Sequence, residues 1–201
     1  IMIWDDMLKS GRKLTGRGGS DSHHGTPDTP EQKTSHTGER SANYVGSPTT
    51  WVFAKTRDAR GVVDALTNGR VSISANPYDP RVELRADLDG DGRMDMMMGD
   101  NARPTGKPVT FQVRLVGGGV RGGVYHVRVI KNGDPLGTYD TDSASNAVTF
   151  ADTPAAKGRS YYRVEVEGPQ TPYPQVPVSS LLSGKMIALS NPIYFNFDPH
   201  F

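Results

Sequence analysis

From residue 81 onward, apolar residues recur at every second position, and that period limits most strongly what this chain can fold into. Val82, Leu84 and Ala86 begin the series, and Val109, Phe111, Val113 and Leu115 continue it. Tyr125, Val127 and Val129 follow, then Val148 and Phe150, then Tyr162, Val164 and Val166, and finally Ile193, Phe195 and Phe197. Successive strand residues point to opposite faces, so each run predicts a strand with one face buried. Asp-Gly pairs near residue 90 and Asn132-Gly133 separate the runs, and Asn-Gly favours a tight two-residue hairpin turn. The 23 glycines and 15 prolines suit such a turn-rich chain better than a helical bundle. Residues 81–201 are therefore expected to form an all-β sandwich of immunoglobulin-like type. With no cysteine, packing alone must hold it.

Before residue 81 the pattern is different. Trp4, Met7 and Leu8 share one helical face, and Gly11 stands where a glycine ends a helix. Leu14-Thr15-Gly16 predicts a short buried strand, and the polar stretch 25–43 a long exposed loop in the position of a lid. Thr49 to Ala54 and Val71 to Ser74 predict strands. Between them Asp58 caps a helix whose apolar face is Val62, Val63 and Leu66. Residues 1–80 thus read as an α/β piece. Ile1-Met2-Ile3-Trp4 reads like the inside of a fold, so the chain is expected to be part of a longer one. A net charge of +1 argues for neither a nucleic-acid nor a membrane partner. No apolar run approaches the ~18 residues of a membrane span.

Two stretches carry candidate chemistry. In Gly18-Gly19-Ser20-Asp21-Ser22-His23-His24, a carboxylate and imidazoles crowd together on a glycine-flexed loop. Asp21 and His23 are donors of the kind that suit Zn, Mn or Fe. An Asx-type turn with solvent-exposed histidines accounts for the same residues. The second stretch runs from Asp87 to Asp95. It places Asp87, Asp89, Asp91 and Asp95 at positions 1, 3, 5 and 9 of a calcium-type loop, with Arg93 at position 7 and glycine at position 6. Met98 stands at position 12, where such a loop expects a bidentate Glu, and Asp100 is the substitute candidate. The alternative is an Asp/Gly hairpin with solvated charges. Calcium here would be structural, and millimolar extracellular Ca²⁺ points to a secreted or periplasmic setting. Met94, Met96, Met97 and Met98 fit a core gap better than a soft metal, and His36, His126 and His200 are isolated.

The ordered series Trp4-Asp5-Asp6-Met7-Leu8, Ser10-Gly11-Arg12, Gly18 to His23, Gly46-Ser47-Pro48-Thr49-Thr50-Trp51-Val52, Ala65-Leu66, Gly69-Arg70-Val71 and Ser190-Asn191-Pro192-Ile193-Tyr194 is distinctive in both order and spacing. It resembles the end of a PHP domain (polymerase and histidinol phosphatase superfamily), in its carbaryl-hydrolase-like branch. The resemblance implies that residues 1–80 are the C-terminal piece of a distorted (β/α)7 barrel, followed by the sandwich. It also implies a multinuclear metal centre that hydrolyses a phosphoester, or a related ester or amide, of a small molecule. Family ligands come from an early His-x-His, a carboxylate, further histidines and a late Asp-x-His. Only the last is matched, on Asp21 and His23. His24 would stand behind the ligands or face substrate, and Arg17 would meet an anionic substrate. The remaining ligands would belong to an N-terminal PHP segment, in the same precursor or in a separate chain, so this chain alone is expected to be inactive. The rival expectation is a non-enzymatic, calcium-stabilised β-sandwich that binds a carbohydrate or a protein surface.

Overall fold

A computed structural model describes residues 1–19, 46–141, 146–172 and 186–198. The order of elements is α1 (Met2–Lys9), β1 (Thr49–Val52), α2 (Ala59–Thr67), β2 (Val71–Ser74), β3 (Arg81–Asp87), β4 (Met96–Met97) and β5 (Asn101–Ala102). Then come β6 (Val109–Val116), β7 (His126–Lys131), β8 (Asp134–Asp140), β9 (Ala147–Asp152), β10 (Ser160–Glu167), β11 (Met186–Ser190) and β12 (Ile193–Phe195). Among the described residues no helix is long and apolar enough to cross a membrane.

The period-two runs become strands with the expected faces inward. In β6 the residues Val109, Phe111, Val113 and Leu115 are all buried, while Arg114 is exposed. The smaller sheet has the order β4-β3-β6-β9, antiparallel throughout. In the larger sheet β10 is central. β7 and then β8 line one edge of it, while β11 and β12 share the other edge end to end. β2 and then β1 continue from β11, and β5 joins β12 in the one parallel pairing among the described strands. The β7–β8 hairpin turns at Asn132 and Gly133, both at positive φ, as the Asn-Gly pair requires. Both sheets contribute to one apolar core, in which Phe111 stacks on Phe150 at 4.9 Å and meets Tyr162 at 4.5 Å. The chain is thus mostly β, in two sheets compatible with a β-sandwich.

The described part of residues 1–80 does not display a barrel piece. β1 and β2 pair antiparallel, and β2 runs on into the larger sheet through Ser74↔Ala188. The Leu14–Gly16 strand makes no backbone ladder. Side chains hold that segment instead: Trp4 Nε1 and the Tyr194 hydroxyl both donate to the Leu14 carbonyl. α2 is capped by Asp58, as the sequence predicts, through the Gly61 N–H at 2.7 Å. Its buried face is not the predicted one. Val62 and Val63 are exposed, and Gly61 and Ala65 turn inward. A side chain at Gly61 would sit 2.3 Å from the Thr56 carbonyl, so the helix docks through its smallest residues and the valines are left outside.

α1 packs on the outer side of β10. Leu8 joins Tyr161, Tyr194 and Phe197 in a second apolar cluster, with Trp4 and Leu14 at its margin. Beside it lies a buried ionic network. Arg163, 1% exposed, grips Asp5 with two hydrogen bonds, Nε to Oδ1 at 2.9 Å and Nη2 to Oδ2 at 2.6 Å. Its Nη1 donates to Glu165 at 2.7 Å, and the Tyr161 hydroxyl adds a bond to Asp5. The Trp4 ring covers the guanidinium. Burial pushes the Asp5 carboxyl up, but the hydrogen bonds and charge of Arg163 outweigh burial and hold it below the usual carboxylate range.

Candidate functional site

The acidic stretch forms the β3–β4 hairpin loop. Arg85↔Met97 and Ala86↔Met96 close the ladder, which leaves residues 88–95 to make the turn. Gly90 and Gly92 take positive φ, where a Cβ would be strained. Asp87, buried at the end of β3, organises the loop by accepting the Gly90 N–H on Oδ1 (2.7 Å) and the Gly92 N–H on Oδ2 (2.8 Å). Asp89 accepts from the Asp91 N–H, and Asp91 from the Arg93 N–H at 2.8 Å. The outcome is convergence: one carboxylate oxygen each from Asp87, Asp89, Asp91 and Asp95 lies within 4.8 Å of the others.

Like charges this close repel one another, and a divalent cation relieves the repulsion. Burial raises the Asp87 carboxyl, but the backbone N–H groups of Gly92 and Gly90 more than offset this and hold it below the ordinary range. It is ionised at neutral pH. An all-carboxylate donor set suits hard cations rather than thiophilic ones. Arg93 has an exposed side chain, 3.9 Å from Asp91. Met98 is fully buried in the core. Asp100 does not complete the shell, because it pairs with Arg70 at 2.7 Å and accepts the Met97 N–H at 2.9 Å.

Asp21, His23 and His24 lie outside the described residues, and so do His36 and His200. Residues 14–19, which lead into the Asp21–His24 stretch, are described, and Gly16 and Gly18 are tightly held. Asn191 brackets Gly16, its Oδ1 accepting the Gly16 N–H at 2.7 Å and its Nδ2 donating to the Gly16 carbonyl at 2.9 Å. The same Nδ2 donates to the Val71 carbonyl at 2.8 Å, which ties the segment to β2. Two residues on, the Thr50 hydroxyl accepts the Gly18 N–H and donates to the Gly18 carbonyl, each at 2.8 Å. A Cβ on Gly18 would sit 2.9 Å from the Ile73 side chain, so only glycine lets the backbone approach this closely. Arg17 is exposed, and its guanidinium donates to the Leu66 carbonyl in the last turn of α2 at 3.3 Å. That is a favourable place for a cation.

Reading the sequence for site chemistry does not single out Thr50 and Asn191 as anchors, although both fall inside the family-like segments. His126 stands alone among the described histidines, its Nδ1 against Asp140 at 2.6 Å on the surface. No protein-family model, curated protein or solved structure matches the chain.

Proposed function

We propose that this chain is the C-terminal portion of a PHP-type metal-dependent hydrolase, with an immunoglobulin-like sandwich as the platform for the last metal-binding loop. The observation that carries this reading is the double anchoring of the loop root. Buried Asn191 and the hydroxyl of Thr50 fix four backbone groups of Gly16 and Gly18, just ahead of Asp21 and His23. A metal site needs its ligands held on rigid elements, and the two-sheet body supplies that. Asp21 and His23 are a donor pair that fits Zn, Mn or Fe. A metal bound there lowers the pKa of water and polarises a phosphoryl or acyl oxygen. His24 then stands behind the ligands or faces a small-molecule ester, and Arg17 lies two residues before the loop's Gly19 to meet an anionic substrate. The remaining ligands belong to an N-terminal PHP segment. Met2, Ile3 and Met7 on α1, and Val62 and Val63 on α2, present apolar side chains outward and support further structure packing over each helix.

The test is a double variant, Asp21→Ala with His23→Ala, in the complete protein. Hydrolysis of an aryl phosphate or aryl ester is expected to fall to the background rate, with the urea midpoint of the β body unchanged. Retained hydrolysis sinks the reading.

The second reading, a calcium-stabilised binding module, draws on the four converging carboxylates of the β3–β4 hairpin. It makes its own prediction. At about a hundredfold excess over Kd, a cation that binds only the folded state adds ~2.7 kcal/mol of stability. That corresponds to a rise in Tm on the order of 5–10 °C for a chain of this size. Millimolar Ca²⁺ is expected to produce such a rise in a thermal melt. Asp89→Asn with Asp91→Asn is expected to remove it.

A further inference from the structure

At the end of β3 and β6 opposite the acidic hairpin, the β6–β7 connection runs Gly117-Gly118-Gly119-Val120-Arg121-Gly122-Gly123 and borders a cavity of about 330 Å³. That volume lies within the range of small-molecule sites. Pro80, Leu115, Tyr125 and Asn146 complete the lining. The loop is built rather than merely glycine-rich. The Gly119 N–H donates to the Tyr78 carbonyl at 2.9 Å, the Gly123 N–H to the Val120 carbonyl at 2.9 Å, and the Val120 N–H to the buried Tyr125 hydroxyl at 2.8 Å. Gly118 is at φ +54 and a Cβ there would lie 2.3 Å from the Tyr78 carbonyl, so this close seat admits only glycine.

The chemistry of the lining is one-sided. Among the described residues Arg121 is the sole charged one that lines the cavity, and its side chain is exposed. The Arg81 guanidinium lies 3.5 Å from where a Gly117 side chain would begin, but it is paired with Glu83 at 3.6 Å, so Arg121 carries the positive charge of the site. Among the described residues no carboxylate lines the cavity. Asp79, the acid of the adjoining turn, is buried behind Tyr125, with Oδ1 accepting the Thr171 N–H at 2.6 Å and Oδ2 without a partner among the described residues. Glycines leave peptide N–H groups uncovered by side chains, and peptide N–H groups in concave loops bind anions. We infer that this cavity is a binding site for a small oxyanionic group, a phosphate or a carboxylate, held by the Arg121 guanidinium and by the peptide N–H groups of the 117–123 loop other than those of Gly119, Val120 and Gly123, which are bonded within the fold. The inference does not depend on the hydrolase reading.

The test is calorimetric titration of the chain with inorganic phosphate and, separately, with acetate, in metal-free buffer so that neither metal loop contributes. Saturable binding of at least one of them is expected. Arg121→Ala is expected to weaken it about tenfold or more, the loss of one charge-assisted hydrogen bond. Val120→Trp, which fills the mouth and leaves every charge in place, is expected to abolish it. Arg103→Ala, an exposed arginine outside both candidate sites, is expected to leave it unchanged. Absence of saturable binding with both probes overturns the inference. So does equal loss in Arg103→Ala and Arg121→Ala, or full binding by Val120→Trp.

Discussion

Asp5→Ala is expected to lower stability by about 3 kcal/mol, the cost of taking one of two carboxylate partners from a buried charge. Arg163 is 1% exposed, and Asp5 takes two of its hydrogen bonds, so the truncation leaves Nε and Nη2 without partners and the guanidinium with Glu165 alone. Urea unfolding followed by fluorescence checks it, with Trp4 over Arg163 as a local reporter. The pH dependence has a definite sign. The folded Asp5 carboxyl lies below its ordinary value, so the unfolded chain binds the proton more readily. The contribution is therefore complete above the unfolded carboxylate pKa of about 4 and is lost as pH falls through the lower, folded value. The difference between wild type and Asp5→Ala should shrink in acid. A difference that grows there would contradict the pairing.

Phe111→Ala should be at least as severe, at about 3–5 kcal/mol, through a different mechanism. Phe111 is fully buried at the centre of the shared core, stacked on Phe150 and touching Tyr162, with Phe195 edge-on at 6.4 Å. Truncation opens a cavity among aromatic rings belonging to both sheets, and rigid rings collapse poorly into a void. An unchanged denaturant slope with a lowered midpoint would show that packing, rather than the fold, was lost. Leu136→Ala on exposed β8 should fall within about 0.5 kcal/mol of wild type and serves as the control.

Local patterns were legible in the sequence, and distant contacts were not. β6 could be read residue by residue because one face is buried and the other half-buried or exposed. The Asn132-Gly133 turn and the Asp58 cap could be read because each is decided within a few residues. The acidic hairpin belongs with them, since all four converging carboxylates lie between residues 87 and 95. β11 escaped notice because both its faces are largely covered, so Met186 to Leu189 shows no alternation. β8 escaped for the opposite reason: as an edge strand, it is mostly exposed and has no apolar period. The valine face of α2 was misread because close docking of Gly61 on Thr56, not apolar content, decides which side faces in. The Asp5–Arg163 grip and the Asn191–Gly16 bracket join residues 158 and 175 positions apart, and no periodicity encodes such pairings.

Two kinds of order therefore meet near the candidate metal loop. The two-sheet body is specified by strand period and core packing, and the loop root is specified by a few long-range side-chain hydrogen bonds to glycine backbone. Those bonds fix the backbone at Gly16 and Gly18, just ahead of Asp21 and His23. They also account for the conformational demand at Gly18, where Ile73 and Pro48 leave no space for a side chain.

The central claim, that Asp21 and His23 hold a transition metal in a hydrolytic centre, is tested most directly by metal content. Elemental mass spectrometry of the complete protein is expected to find bound Zn, Mn or Fe, with the amount reduced in Asp21→Ala/His23→Ala at an unchanged urea midpoint. A wild-type protein without transition metal, or a double variant that retains the full amount, would contradict it.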